Sequence, residues 1–184
     1  MAKTFEDRLC DILVKNKAIT QAEAKVIHKE FHGSSKEVFD TFLLSEDIVQ
    51  KEDLLKALSD YYEVPSFDAE DYSFENKLLQ EFPQDVLLRH AIIPLKRDED
   101  CLIIVASRPD NEDVLPELAE FVSDDIQFHV GIDNHIVDAI MEFYDAKIVD
   151  TQAEMRSSEE FQDEPYVEAD MFQESEEDEE ELYF

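Results

Sequence analysis

Residues 82–109 read FPQDVLLRHAIIPLKRDEDCLIIVASRP, and this stretch determines the expected fold class of the chain. It contains two apolar runs, residues 91–95 and 102–106, which the charged segment 96–100 separates. Both runs are rich in β-branched residues and have the length of a buried strand, so we predict a β-hairpin. Pro94 lacks an amide donor, which predicts that its strand lies at a sheet edge or bends there. The hairpin is the expected core of a small α+β domain.

The segments around the hairpin alternate between helical and strand patterns. Apolar residues at helical spacing mark the helices, and short β-branched or aromatic runs mark the strands. Asp133 is well placed as the N-cap of the last helix. This order fits a small sheet with helices on one side. The predicted elements are strand 64–67, helix 75–82, helix 84–90, the hairpin, helix 113–122, strand 126–130 and helix 134–146.

Residues 4–62 contain an internal repeat with a constant offset of 30 positions. Each copy reads as helix, short apolar turn, helix, and two such units are expected to pack together as a four-helix layer. Capping boxes are predicted at Thr4 with Asp7 and at Ser34 with Glu37. The matched apolar positions are Leu9, Leu13, Val14, Ile19, Ala24, Ile27 and Phe31 in the first copy, and Phe39, Leu43, Leu44, Val49, Leu54, Ala57 and Tyr61 in the second.

The composition changes near the C-terminus. Residues 150–184 contain 15 acidic side chains and one basic side chain, Arg156, with few periodic hydrophobic residues. We predict a disordered acidic tail over 149–184, after a helical subdomain at 1–62 and an α+β domain at 63–148. Three roles are open for the tail: it solubilises the chain, it anchors a partner through its aromatic residues, or it folds back on Lys and Arg of the globular part and masks a surface. Those partner-binding candidates are Phe161, Tyr166, Phe172, Tyr183 and Phe184.

The net charge of -32 restricts the classes of partner. Nucleic acids and anionic membrane surfaces need clustered Lys and Arg, so neither is expected to bind this chain. A protein partner with a basic surface is compatible with this charge. No apolar run reaches the ~20 residues that span a bilayer, and no signal peptide is recognisable, so direct membrane insertion is not expected and the chain is predicted to be cytoplasmic.

The sequence gives no catalytic residues, metal site or cofactor. With two glycines in the whole chain, it cannot contain a glycine-rich phosphate-binding loop. His28 and His32 have the spacing of half a zinc site, but no third ligand is placed nearby. The other histidines, His90, His129 and His135, have no recognisable nucleophile beside them, so we predict that the protein is not an enzyme. Cys10 and Cys101 lie in apolar patterns and are expected to be small core residues.

Several ordered motifs together resemble the N-terminal region of the type II secretion and type IV pilus assembly ATPases. The resemblance covers about residues 5–146, and the ATPase domain of that family is absent from the sequence. It implies an adaptor module that docks onto protein components of a secretion, pilus or motility machine, or of a related regulatory pathway. The motifs are Tyr62-Glu-Val-Pro-Ser-Phe-Asp68, Phe82-Pro83, Leu87, His90, Ile93-Pro94-Leu95, Leu102, Val105-Ala106, Pro109 and Ile140-Met-Glu-Phe-Tyr144.

In that family the first part can be a paired motif that binds cyclic di-GMP. The resemblance implies Arg8 as a phosphate contact, with Leu9, Leu13 and Val14 as the apolar floor of the site. The glycines of the motif are replaced by Cys10 and Lys17 in the first copy and by Asp40 and Asp47 in the second. Because acidic groups repel phosphates, we expect cyclic di-GMP binding to be impaired, and a sensor of this nucleotide is the alternative function.

Overall fold

The computed structural model describes residues 3–34 and 38–159. The predicted α+β class is confirmed, since a run of helices is followed by a small three-stranded sheet with further helices. Among the described residues, no helix is long and apolar enough to cross a membrane. The elements are α1 Phe5–Lys15, α2 Gln21–Ser34, α3 Phe39–Ser45, α4 Lys51–Tyr62, α5 Asn76–Leu79, α6 Gln84–His90, β1 Ile92–Asp98, β2 Cys101–Ala106, α7 Val114–Leu118, β3 Asp125–Val130 and α8 Asp133–Glu159.

The repeat in residues 4–62 is confirmed as two helix–turn–helix units, α1 with α2 and α3 with α4. Five of the seven matched apolar pairs are buried in both copies, so the offset in sequence reflects equivalent positions in the core. The remaining two pairs, Val14 with Leu44 and Phe31 with Tyr61, are half-buried against the same cluster. The helical layer therefore owes its core to the repeated apolar stripe.

The turns between the helices of each unit are also equivalent. Lys17 and Asp47 adopt left-handed conformations with φ of 64° and 52°. In both turns the amide of the left-handed residue donates to the carbonyl three positions earlier, and the next amide donates to the carbonyl five positions earlier. This is a helix C-terminal pattern that glycine adopts most easily. The structure thus gives a backbone reason for a glycine at these two positions.

Replacing Lys17 or Asp47 by Gly is expected to raise the free energy of unfolding by up to about 1 kcal/mol. A left-handed L-residue costs about 1–2 kcal/mol, whereas glycine adds about 0.5–1 kcal/mol of unfolded-chain entropy. Urea unfolding checks the prediction. Lys17→Ala is the control and is expected to change stability little, because alanine retains the left-handed strain. A loss of stability in both glycine variants would contradict this account.

One of the two predicted capping boxes is correct. The Thr4 hydroxyl accepts from the Asp7 amide at 3.3 Å, and the Asp7 carboxylate accepts from the Thr4 amide at 3.1 Å. The predicted box at Ser34 is wrong, because Ser34 is the last residue of α2 and α3 has Val38 as its N-cap. A second reciprocal pair instead joins Thr20 and Glu23 at the start of α2.

The predicted hairpin and its edge position are confirmed. Strands β1 and β2 are antiparallel, with Ile92 opposite Ala106, and β1 lies at one edge of the order β1-β2-β3. The register shifts between Pro94 and Lys96. Pro94 therefore lies in an edge strand and at an irregularity, which are both positions that tolerate its missing amide.

The third strand and the elements beside it differ in detail from the prediction. Strand β3 pairs in parallel with β2, whereas predicted strand 64–67 forms only an isolated bridge between Ser66 and Val130. Helix α7 is shorter than predicted, and Pro116 lies in its first turn as required. Asp133 is the first helical residue of α8 rather than its cap. Residues 147–159 contain no Pro or Gly, and α8 continues through them into the predicted tail.

The buried residues form two apolar clusters. One lies between the hairpin, α5, α6, α7 and α8, and the other lies among α1–α4. Val130 and Ile132 belong to the second cluster, so the end of β3 packs into the helical layer. Residues 1–148 form one compact unit, and the finer boundary at residue 62 stays a prediction.

Candidate binding cleft

The first motif copy borders an open cleft of about 510 Å³. The cleft lies between α1, the C-terminal end of α4 and the loop after β2. Arg8, Asp11 and Asp60 are exposed at this cleft, whereas both tyrosines are half-buried. Its lining residues are Arg8, Asp11, Ile12, Asp60, Tyr61, Tyr62 and Asp110.

Aromatic rings form one side of this region. Tyr61 packs edge-on against Tyr62, with ring centroids 4.7 Å apart, and against Phe5 at 5.0 Å. The guanidinium of Arg108 lies 5.8 Å from the centroid of the Phe5 ring. Such edge-on contacts restrict ring orientation, and a ring face attracts cations. The two tyrosines that line the cleft thus pack against Phe5, a neighbouring ring that lies beside the exposed Arg108 guanidinium.

Three carboxylates surround the aromatic wall. Asp60 accepts a hydrogen bond from the Asn16 side chain at 2.9 Å, and Asp11 pairs with Lys3. Burial raises the pKa of Tyr62, and the negative charge of Asp110 raises it further. With three aspartates and one arginine, the lining carries a formal excess of negative charge.

The structure separates the four residues of the predicted nucleotide site. Arg8 is exposed at the cleft and Val14 is half-buried. Leu9 and Leu13 each have 0% of their surface exposed, because they lie in the core of the helical layer. They touch no solvent, so a ligand could reach them only if the core opened. The assignment of these four residues to a ligand stays a prediction.

The four positions that replace motif glycines have different roles. Cys10 is buried, and burial raises the pKa of its thiol to about 11, which leaves it an unreactive core residue. Both cysteines are free thiols. Lys17 and Asp47 occupy the left-handed turns described above. Asp40 is buried with 3% exposure, so its carboxylate does not face a surface ligand. The sequence had led us to expect that this carboxylate would repel the phosphates of a ligand.

Asp40 connects helix α3 to the start of helix α8. One carboxylate oxygen accepts from the Thr41 amide at 2.9 Å, and the other accepts from the Asp133 amide at 3.1 Å. The Asp133 amide is in the first turn of α8, where free N–H groups attract negative charge. Burial raises the pKa of Asp40, although these hydrogen bonds oppose the rise.

A second polar cluster was not predicted from the sequence. Asp68, Glu70 and His135 bring ligand-type atoms within 4.8 Å of one another. The Lys51 ammonium lies 2.7 Å from Asp68 and 2.6 Å from Glu70, and it lowers the pKa of Glu70 through its hydrogen bond. The Lys51 ammonium therefore already supplies a positive charge to Asp68 and Glu70. Sequence spacing gave no signal, because the members come from a helix, a loop and a distant helix.

Of the histidines considered as bases or metal ligands, His90 and His28 have acidic partners. His90 Nε2 lies 2.5 Å from Glu117, and Glu117 also pairs with Arg89. His28 lies 3.2 Å from Asp7 at the start of α1. Burial lowers the pKa of His129, which favours its neutral form. The side chain of His32 and the five aromatic residues of the tail lie outside the described part, so the tail assignments stay predictions.

The family model of the MshEN domain matches residues 62–149. A curated relative, the type IV pilus assembly ATPase PilB of Myxococcus xanthus (strain DK1622), is 24% identical over 140 residues. This match covers 76% of the chain and only 25% of PilB, so the chain spans about a quarter of the relative.

Two solved structures share the fold. A structure of MshE with cdg, cyclic di-GMP, superposes with a TM-score of 0.58 and 19% identity, covering 74% of this chain and 99% of that one. The N-terminal domain of XpsE gives a TM-score of 0.50 and 15% identity, covering 77% of this chain and 97% of that one. Residues 62–149 thus match the MshEN model, and the chain shares the fold of these two structures, which confirms the resemblance that its motifs predicted.

Proposed function

We propose that this chain is a non-enzymatic adaptor that docks onto a protein component of a secretion, pilus or motility machine, or of a related regulatory pathway. The observation that carries the proposal is the correspondence of about three-quarters of the chain to N-terminal domains rather than to an ATPase domain. We place the adaptor in the cytoplasm, where such a machine would present its ATPase.

The surface charge supports a basic partner. The net charge of -32 favours rapid encounter with a positively charged surface, and apolar contacts then supply most of the lasting affinity. The pairing of His90 with Glu117 and of His28 with Asp7 supports a structural use of these imidazoles. No catalytic role is assigned to any residue.

Affinity capture from native cytosol tests the adaptor function. The tagged full chain is expected to enrich a component of such a machine at low salt, compared with an unrelated acidic protein carrying the same tag. Recovery of no such component would contradict the proposal. A second bait tests the tail and carries Ala at Phe161, Tyr166, Phe172, Tyr183 and Phe184. If these aromatic residues are anchors, this bait is expected to lose its partner at high salt, where charge attraction is screened.

A cyclic di-GMP sensor is the second candidate, since MshE has the same fold and its structure is with cdg. Arg8 is exposed and available for a phosphate, which supports this candidate. The buried Leu9 and Leu13 and the acidic lining of the cleft oppose it.

Calorimetry with cyclic di-GMP decides between the two candidates. We expect a dissociation constant weaker than about 1 mM, equivalent to about 4 kcal/mol of binding free energy, because the carboxylates repel the phosphates. Arg8→Ala provides the control, since a true phosphate contact would be lost in this variant. Tight binding that depends on Arg8 would establish the sensor instead.

A further inference from the structure

The charge of the cleft favours a cation over a phosphate ligand. Asp11, Asp60 and Asp110 oppose the single charge of Arg8 within the lining. Two unit charges 4 Å apart interact by about 1 kcal/mol in water and by about 4 kcal/mol at a protein surface of lower effective dielectric. Lys3 offsets part of the charge of Asp11, which leaves Asp60 and Asp110 as the carboxylates without an ion pair to a described cation.

The aromatic wall favours a planar cation in particular. Tyr61 and Tyr62 line the cleft, and the neighbouring Phe5 ring already carries the Arg108 guanidinium at 5.8 Å. A guanidinium stacks on such rings and donates paired hydrogen bonds to carboxylates, whereas an ammonium is a compact, strongly hydrated charge. The aromatic cluster that lies beside the Arg108 guanidinium thus continues into an open, acidic cleft.

We infer that this cleft binds an arginine side chain from a basic segment of the partner protein. The guanidinium packs against Tyr61 or Tyr62 and pairs with Asp60 and Asp110. The inference rests on the proposed adaptor function and gives its partner a specific chemistry. Arg8, which also lines the cleft, then repels segments that carry several positive charges close together.

Nuclear magnetic resonance titration of the full chain tests the inference. The probe is an acetylated and amidated hexapeptide of alternating Arg and Gly, and the comparison peptide carries neutral citrulline in place of Arg. We expect saturable shifts of the amides of residues 8–12 and 60–62 with the arginine peptide, and at least about tenfold weaker binding of the citrulline peptide. Equal effects of both peptides would overturn the inference.

Matched variants separate the cleft from the general acidity of the chain. The double variant D60N/D110N is expected to weaken binding, read from the same amides, by at least about tenfold. The variant D138N/D145N removes the same charge from exposed positions of α8, and it is expected to change binding by less than about twofold. Equal weakening by both double variants would overturn the inference, because it would mean that only long-range charge attracts the peptide.

Arg8→Ala distinguishes the arginine site from a nucleotide site and does not depend on the folding of D60N/D110N. The arginine peptide is expected to bind Arg8→Ala as tightly as the wild type or more tightly. Weaker peptide binding in this variant, or saturable shifts of the same amides by cyclic di-GMP that Arg8→Ala abolishes, would overturn the inference. An adaptor that still captures its partner after either result would use another surface, so the two proposals fail separately.

Discussion

Replacing Asp40 by Ala is expected to lower the free energy of unfolding by about 2–4 kcal/mol. The substitution leaves the Thr41 and Asp133 amides without their acceptors, and a buried donor that loses its partner costs about 1–3 kcal/mol. Removal of the buried negative charge offsets part of this loss. Urea unfolding measures the change. Asp138→Ala, an exposed substitution on α8, is the control and is expected to change stability by less than about 0.5 kcal/mol.

Asp40→Asn separates the hydrogen bonds from the charge. One amide oxygen remains to accept from a backbone N–H, so the loss is expected to be smaller than for Asp40→Ala. Burial raises the pKa of Asp40 in the folded state. The folded protein therefore retains the carboxyl proton of Asp40 to a higher pH than the unfolded chain does. Stability of the wild type relative to Asp40→Asn should therefore fall as pH rises from the ordinary carboxyl pKa through the raised folded pKa. A constant difference across this window would contradict the assignment.

Replacing Gly131 by Ala is expected to cost about 1–3 kcal/mol of stability, which is the second large effect. A Cβ at this position would lie 2.7 Å from Val105 Cγ1 and 3.1 Å from Ile136 Cδ1. Val105 and Ile136 are fully buried, so neither side chain can move out into solvent to make room. Added volume in a packed core forces side chains off their rotamers.

A double-mutant cycle with Val105→Ala identifies the contact that limits Gly131. Val105→Ala removes the nearest methyl group, so Gly131→Ala is expected to cost less in that background than in the wild type. Thermal or urea unfolding of the four proteins gives the coupling energy. Equal costs in both backgrounds would show that Val105 is not responsible for the clash.

Features determined by local sequence could be predicted well. The repeat, helix α6 and the hairpin follow from apolar periodicity and from Pro94, because these signals act over a few residues. The Thr4 capping box was found for the same reason. The Thr20 box has the same spacing and was missed, although Thr20 with Glu23 before an apolar pattern is the signal that would have found it.

Features determined by distant contacts could not be predicted. The carboxylate of Asp40 accepts from an amide 93 positions away, and no local pattern marks that pairing. Residues 64–67 have strand-like composition, but within the described ranges their one β-partner is Val130, so they form a bridge instead of a strand. The cleft is equally non-local, because Arg8, Tyr62 and Asp110 come from separate elements. The sequence shows that the chain contains acidic and aromatic residues, but it does not show which of them come together to form the cleft.

Both edge strands of the small sheet are poorly suited to pairing with a strand of another chain. On the β3 side, the Phe67 amide donates to the Val130 carbonyl, and the Val130 amide donates to the Pro65 carbonyl. These two hydrogen bonds occupy backbone groups of Val130 with which another chain could otherwise pair. On the β1 side, Pro94 offers no donor and the register shift beside it breaks the regular ladder. The Val130 end of β3 and the Pro94 irregularity of β1 thus make the backbone, as well as the negative charge, unfavourable to edge-to-edge pairing with another chain.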